Sequence, residues 1–383
     1  MKICAIICEY NPFHNGHKYL IAEAKRQSNA DALLCLMSGN FTQRGEAAVL
    51  EKHLRAKHAV LSGADVVLEL PTVFATSNAE IFAKGAVSLL SKIPAVQHLA
   101  FGAEFADKEV FLQAANALIS EPQNVSSVVK ALTKNGVGYA EAIATARSKV
   151  ADERLFSSPN NILGIEYTKA LLAQNSSIEI LPIQRLGAGY HDEHAKDDFA
   201  SATAIRNAMR KNELSTIEPY LPREVYSDLQ SASEIRLDAF EKAAILRETP
   251  EKIAATLDCT EGLENAFLKA ASGAITLEEA LTSPRYTAAR IRRIALQNLL
   301  NIQKDLVFEC LENDLYLHPL AYKHDRVEIL STLSKASIPF LASGIQKSKL
   351  SATAAKCLAI DELAEKMYAA LTGSEYENKT CII

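Results

Sequence analysis

His14 and His17 bracket Asn15 and Gly16 in a stretch reading E-Y-N-P-F-H-N-G-H-K-Y-L. Two imidazoles this close, where helix-forming Ala, Glu and Lys begin, suit chemistry at phosphorus. A pentavalent phosphorus passes through added negative charge. Imidazole N–H groups and the open N–H groups of a helix N-terminus stabilise that charge without a covalent intermediate. Gly16 would let a nucleotide approach the backbone closely. The same residues also fit an ordinary loop whose histidines cap the helix or face water. A second cue is the run Arg285-Tyr286-Thr287-Ala288-Ala289-Arg290-Ile291-Arg292-Arg293, which holds four arginines and no acid. On a helix, Arg290 and Arg293 share a face while Ile291, Ile294 and Leu299 turn inward, leaving a basic ridge beside a ring able to stack on a base. A solvated face bridged to Glu278 and Glu279 is the alternative. His191-Asp192-Glu193-His194 has metal-ligating side chains but no obvious third ligand, so a solvated acidic loop is expected there rather than a metal site.

Residues of this kind need a rigid frame. Lys2 to Cys8 is apolar on both faces, as a strand buried in a parallel sheet must be. Similar runs at Asp31 to Met37, Asp65 to Leu70, Gln97 to Phe101 and Ile178 to Ile183 predict further strands, with Pro182 pointing to an edge or a bulge. Helices are expected over Glu51 to Leu61, from an Asn78 cap to Leu90, across Lys108 to Arg147, over Asn161 to Leu172 and after Ser201. This alternation predicts an α/β fold, a doubly wound parallel sheet of Rossmann-like type. Ligands in such sheets sit at the carboxyl ends of the strands, where Cys8 to His17, Ser38 to Arg44 and Gly102 to Glu104 all fall.

With 383 residues the chain exceeds the size at which one core usually keeps growing. Two domains are expected, 1–221 and 222–383, with the Pro-bearing P-Y-L-P-R segment at the join. The second reads as mainly helical with a small α/β cap around Asp314 to Leu320, Ile338 to Ala342 and a helix from Ala352 to Leu371. Net charge is -5, so any nucleic-acid contact must come from a local basic patch. The seven cysteines are scattered, with no paired zinc spacing, which fits a reducing cytoplasm. No signal peptide, membrane span or lipid anchor is expected.

H-N-G-H resembles the H-x-G-H motif of the nucleotidyltransferase superfamily, and Phe199 to Arg206 (F-A-S-A-T-A-I-R) is close to its second motif, roughly I-S-S-T-x-I-R. More narrowly, E-Y-N-P-F-H-N-G-H, S-G-N-F-T-Q-R-G from Ser38, F-G-A-E from Phe101 and P-N-N-I-L-G-I-E-Y from Pro159 are similar to the bacterial tRNA(Met) cytidine acetate ligase family. The likeness runs along most of the chain and is denser in the first half. It implies a nucleotidyltransferase-like ATP-binding domain over 1–221 and a tRNA-contacting domain over 222–383. It further implies that ATP, with its Mg2+, is wrapped by Ile7, Cys8, Glu9, Tyr10, Asn11, Pro12, Phe13, His14, Asn15, Gly16, His17, Lys18, Tyr19 and Leu20. Gly102, Asn160, Asn161 and Arg185 would contact the nucleotide, although the two asparagines also fit helix capping. Ser201 and Thr203 would hold the outer phosphates, and Arg206 would neutralise leaving pyrophosphate. Ala202 stands where the family-wide pattern has a second Ser. His14, His17 and Arg206 are thus the implied catalytic residues.

The loop Ser38, Gly39, Asn40, Gln43 and Arg44 would hold the second substrate, with Arg44 orienting acetate or the triphosphate. The implied reaction makes acetyl-adenylate from acetate and ATP, then acetylates N4 of the wobble cytidine of elongator tRNA(Met). Arg285, Tyr286, Arg290, Arg292 and Arg293 are the residues expected to meet tRNA, and charge reversal at Arg290 and Arg293 is expected to spare adenylate formation. Two other readings fit the motifs. One is a small-molecule adenylyltransferase of the pantetheine or nicotinamide type. The other is an RNA-binding protein that keeps the nucleotide fold without turnover.

Overall fold

The computed structural model describes residues 1–135, 137–186, 199–260, 262–341, 348–374 and 380–383. The first apolar run becomes strand β1 (Ile3–Cys8), and the next two become β2 (Ala32–Ser38) and β3 (Val66–Leu70). All three are buried almost throughout, because helices cover both faces of parallel strands. β1 pairs with β2 from Ile3 opposite Ala32 to Cys8 opposite Met37. Strand β4 (Val96–Ala103) lies on the other side of β1, with β5 (Glu179–Gln184) beyond it, both parallel. Pro182 sits in this outermost strand, where a missing N–H need not cost a ladder bond.

Two C-terminal segments complete the sheet. β6 (Pro319–Tyr322) runs antiparallel beside β3, and β7 (Cys381–Ile382) pairs with β6, so the order is β5-β4-β1-β2-β3-β6-β7. The strand expected in a separate cap thus extends the main sheet, and the sheet is not confined to residues 1–221. The reason is physical: without β6 the wholly buried β3, apolar apart from Glu69, would be an open edge. Connections run outward from β1 to β3, and the chain then returns to the far side of β1 for β4. This reversal opens a crevice at the carboxyl ends of β1 and β4, where ligands settle in sheets of this type.

The helices that matter below are α1 (Asn15–Ser28), α2 (Lys52–Leu61), α3 (Ala79–Ser91), α4 (Lys108–Ser120), α5 (Pro122–Lys134), α6 (Tyr139–Arg147), α7 (Pro159–Ala173), α8 (Ala202–Arg210), α9 (Ala288–Leu299) and α10 (Ala352–Thr372). The single helical stretch read over Lys108 to Arg147 is three helices, divided at Pro122 and after Lys134. Side-chain caps set several starts: Asn78 accepts from Ile81 N at 3.1 Å and Ser201 from Ala204 N at 3.0 Å. Ile3, Ala5 and Ile7 join the core on one face of the sheet, Cys4 and Ile6 that on the other. A third, smaller core gathers Ile245, Phe267, Ile291 and Ile294 within the helices after residue 237. α10 packs its Cys357 and Leu358 into the first core. No described helix is long and apolar enough to cross a membrane.

Candidate active site

The chain leaves β1, turns at Tyr10 in the left-handed region with φ 50°, and enters α1 through His14. His14 is the N-cap. Its Nδ1 accepts from Gly16 N at 3.1 Å, while Nδ1 of His17 accepts from His14 N at 3.3 Å. This is a capping box built from two histidines. The rings stack with centroids 3.6 Å apart and planes inclined by 25°. A Cβ on residue 16 would stand 2.9 Å from His14 Cε1, so the bare glycine admits the ring rather than a ligand. With each Nδ1 used as an acceptor, the proton of each neutral ring sits on Nε2. Burial, helped by the charges of Arg185 and Arg206, holds the pKa of His14 at about 3. Burial, with His14 and Arg185, holds His17 well below the ordinary range. Capping and donor capacity therefore coexist: one nitrogen of each ring closes the helix, and the other is a neutral N–H donor.

A cavity of about 220 Å³ adjoins this pair, lined also by Glu9, Arg44, Arg185 and Arg206. A narrower one of about 40 Å³ shares His14, His17, Arg185 and Ser201 with it and runs past Gly102 and Phe199. Arg206 reaches in from α8, donates to the Asn11 carbonyl at 2.7 Å and lies 4.0 Å from Glu46. Its Nε is buried with no partner. Arg185 follows β5 and pairs with Glu104 at 3.3 Å. Glu104 also accepts from Asn160 Nδ2 at 2.6 Å and from the buried Ser158 Oγ, so one carboxylate aligns two groups of the cavity wall, Arg185 and Asn160. Burial raises the pKa of Glu9, opposed by a hydrogen bond from Gln43 N at 2.6 Å and by Arg44, Arg206 and Arg55.

The loop after β2 is held from two sides. Below it, Arg55 of α2 is wholly buried and donates to the carbonyls of Leu50, Glu9, Ser38 and Gly39. One guanidinium thus ties the ends of β1 and β2 together. Lys52, one turn earlier, bonds Glu69 at 2.9 Å and Glu365 at 3.0 Å, linking α2 to β3 and α10. From the other side, Arg292 of α9 donates to the Arg44 carbonyl at 3.0 Å, and Arg293 to that of Gln43 at 3.4 Å. Gly45, at φ 74°, makes the approach feasible, since a Cβ there would fall 2.5 Å from Arg293 N.

A family model described as HIGH Nucleotidyl Transferase matches residues 1–381. The tRNA(Met) cytidine acetate ligase of Thermoanaerobacter sp. (strain X514) is 38% identical over 92% of each chain, and that of Clostridium perfringens (strain ATCC 13124) is 36% identical over 91% of each. The chain belongs to the tRNA(Met) cytidine acetate ligase family of HIGH nucleotidyltransferases. Crystal structures of Thermotoga maritima TmcAL agree in fold. The apo form gives a TM-score of 0.90 at 29% identity over the whole of both chains. A form bound with alpha-thio ATP gives 0.89 at 29% identity, over 100% of this chain and 99% of that one.

Within this ligase-family fold, the residues singled out from sequence do not all reach the cavities. Ile7, Glu9, Tyr10, Asn11, His14, Gly16, His17, Tyr19 and Leu20 line one or both. Phe13 does not: it is fully buried, with its ring 5.5 Å from that of His17. Cys8 and Pro12 are likewise absent from the lining, Asn15 turns away to donate to the Pro219 carbonyl at 3.0 Å, and Lys18 is exposed outside both cavities. Asn160 lines the larger cavity, but Asn161 accepts from Glu104 N at 3.0 Å and donates to the Arg154 carbonyl at 3.1 Å, so it is a buried brace. Ser38, Gly39 and Asn40 are also supports, Asn40 accepting from Lys52 N at 2.7 Å, while Gln43 and Arg44 reach the cavity. Ser201, Ala202 and Thr203 do so too.

The arginines of the basic run are largely engaged by the protein itself. Arg290 donates to the Asp258 carbonyl at 2.7 Å, Arg293 pairs with Asp258 at 3.5 Å, and Arg292 bridges Glu278 at 2.8 Å and Glu46 at 3.3 Å. Arg292 and Arg293 fasten α9 to the Gln43–Arg44 loop, whereas Arg290 fastens it to the segment at Asp258 and Thr260, so charge reversal at Arg293 would disturb that loop too. Of the run's four arginines only Arg285 is exposed, with its guanidinium 5.6 Å from the Tyr286 ring. The His191 to His194 stretch lies outside the described residues. Sequence reading missed Arg55, Lys52 and Glu46. A buried arginine inside H-L-R-A-K-H carries no local mark that separates it from a solvated one.

Proposed function

We propose that this protein is an ATP-dependent acetate ligase that acetylates N4 of the wobble cytidine of elongator tRNA(Met), working in the cytoplasm. A carboxylate oxygen of acetate bonds to the α-phosphorus of ATP as the bond to the β-phosphate oxygen breaks, and pyrophosphate leaves. The cytidine amine then bonds to the acetyl carbon, the bond to AMP breaks, and the amine sheds a proton. The observation that carries this reading is the stacked pair of neutral histidines, whose two Nε2–H donors border a cavity shared with Arg44, Arg185 and Arg206. Such donors stabilise charge at the α-phosphate as it develops. Arg206 and the Ser201 end of α8 suit the outer phosphates, and Gly102, Asn160 and Arg185 the nucleoside. Gln43 and Arg44 suit acetate. Mg2+ is expected to arrive on the phosphate oxygens of ATP. Residues after 221 would contribute tRNA contacts, with Arg285 the exposed cation of the basic run.

One assay tests the reading: ATP with labelled acetate, with and without tRNA(Met). Labelled acetyl-adenylate that passes to tRNA is the expected result. Acetate-independent turnover with another acceptor would mark a small-molecule adenylyltransferase, and binding of tRNA with no turnover a non-catalytic RNA binder.

A further inference from the structure

A second cleft, of about 1030 Å³, lies between α5 and α6 on one side and residues 283–293 on the other. Its walls meet where Gly138 faces the Pro284 carbonyl, which a Cβ would approach to 2.7 Å, so its width there is fixed by backbone on both sides. One helix separates it from the catalytic cavity. On α7, Ile162 and Glu166 line the cleft, while their neighbours Leu163 and Tyr167 line the cavity. Arg293 belongs to the cleft yet donates to the carbonyl of Gln43, which belongs to the cavity.

Its charge contrasts with the rest of the chain. Six basic side chains line it against three acidic ones, in a protein of net charge -5. Each acid already has a cation: Glu80 pairs with Lys84, Glu166 with Arg147, and Asp258 with Arg293. Lys130 and Lys134 are exposed, one turn apart on the same face of α5. Among the described residues their ammonium groups have no hydrogen-bond or carboxylate partner. Two unspent cations set in line, facing the Arg285 wall, make a track for a chain of phosphates rather than a socket for one anion. Single-stranded RNA loops are read in such grooves.

Given the ligase reading above, on which this rests, we propose that the cleft holds the single-stranded anticodon-loop backbone of the RNA substrate. Lys130 and Lys134 contact its phosphates, and the base to be modified enters the cavity past Gln43 and Arg44. This position explains why the arginines of α9 are spent on protein partners: the RNA-facing charge comes from α5.

The test is the double variant Lys130→Glu/Lys134→Glu, assayed beside the parent for acetate-dependent pyrophosphate exchange, tRNA binding across a salt series and tRNA acetylation. Expected are at least tenfold weaker tRNA binding, a matching loss in acetylation at subsaturating tRNA, and no comparable loss in exchange. Removing two phosphate contacts should also flatten the plot of log affinity against log salt by roughly 1.4, from about 0.7 per single-strand contact. The milder Lys130→Ala/Lys134→Ala pair should show the same pattern in smaller measure. Parent-like tRNA binding and salt slope in the charge-reversed variant would overturn the cleft while leaving the ligase reading intact. A parent that exchanges pyrophosphate but neither binds nor acetylates tRNA would overturn both.

Discussion

Replacing His14 with Asn separates the two jobs assigned to that residue. Asn is among the best N-caps, so Gly16 N keeps an acceptor and the helix keeps its start. The variant loses one Nε2–H donor. Loss of a single donor aimed at developing charge costs roughly 100- to 1000-fold in rate, so pyrophosphate exchange should fall by that factor with little change in fold stability at pH 8. The pH dependence of stability supplies a second, independent reading. The folded pKa of His14 is about 3 against an ordinary 6.5. As pH falls below 6.5 the unfolded chain takes up a proton that the folded ring refuses, so stability drops, and the loss levels off only near pH 3. At pH 5 the loss from this ring is about 2 kcal/mol. His53, whose folded pKa is raised to about 10 because Cys381 and Glu365 together outweigh its burial, works in the opposite sense, favouring the folded state as pH falls from 10 to 6.5. The comparison must therefore be between parent and His14→Asn: urea midpoints from pH 8 to 5 should show the parent losing about 2 kcal/mol more. A parent-like exchange rate in the variant, or a His14 ring that titrates near 6.5 by NMR, would refute the neutral-donor argument.

Arg55→Lys keeps the charge but offers donors from one nitrogen, which cannot span the carbonyls of Glu9, Ser38 and Gly39; unpaired buried acceptors should cost about 2–4 kcal/mol in urea denaturation, and an unchanged midpoint would count against the tie. Arg293→Gln should slow pyrophosphate exchange as well as tRNA acetylation, by up to roughly 100-fold if the Gln43 segment shifts by about 1 Å; a defect confined to the tRNA step would restore the ridge to an RNA role. Glu241 is buried and its pKa is raised to about 8 by burial and Asp238. The folded state holds that proton longer, so stability falls as pH rises from 4.5 toward 8, and Glu241→Gln should remove the slope and add up to roughly 3 kcal/mol at pH 7, measured by thermal or urea unfolding.

Local signals carried much of this architecture. A strand that is apolar on both faces, an Asn or Ser before a helical period and a Pro in an outer strand each act within a few residues, and β1, the Asn78 and Ser201 caps and β5 all follow from such cues. The lining of the candidate cavity was legible where motif and turn coincide, at His14, His17, Ser201 to Thr203 and Arg206. It was not legible where long side chains act across the fold. Arg55 carried no cue because its partners are backbone carbonyls of other segments, and nothing near the α9 arginines announces their bonds to Gln43, Arg44 and Asp258, which lie far off in the chain. Adjacent asparagines illustrate the limit: Asn160 reaches the cavity and Asn161 braces the turn after β4, a difference of one helical step of about 100°. β6 escaped as part of the sheet because P-L-A-Y is too short to declare its neighbour.

That late strand has a consequence for how the protein is made. β3 ends at Leu70, yet the strand that covers its side begins at Pro319. At translation speeds of about 5–20 residues per second, roughly 12–50 s pass between the emergence of the two. Throughout that interval the half-built sheet presents a bare apolar rim to the crowded space around the ribosome, an invitation to pair with another nascent copy. Slowing synthesis between these points should therefore reduce the yield of correctly folded protein more than slowing it before Leu70, and fusing a detachable strand donor upstream should relieve the loss.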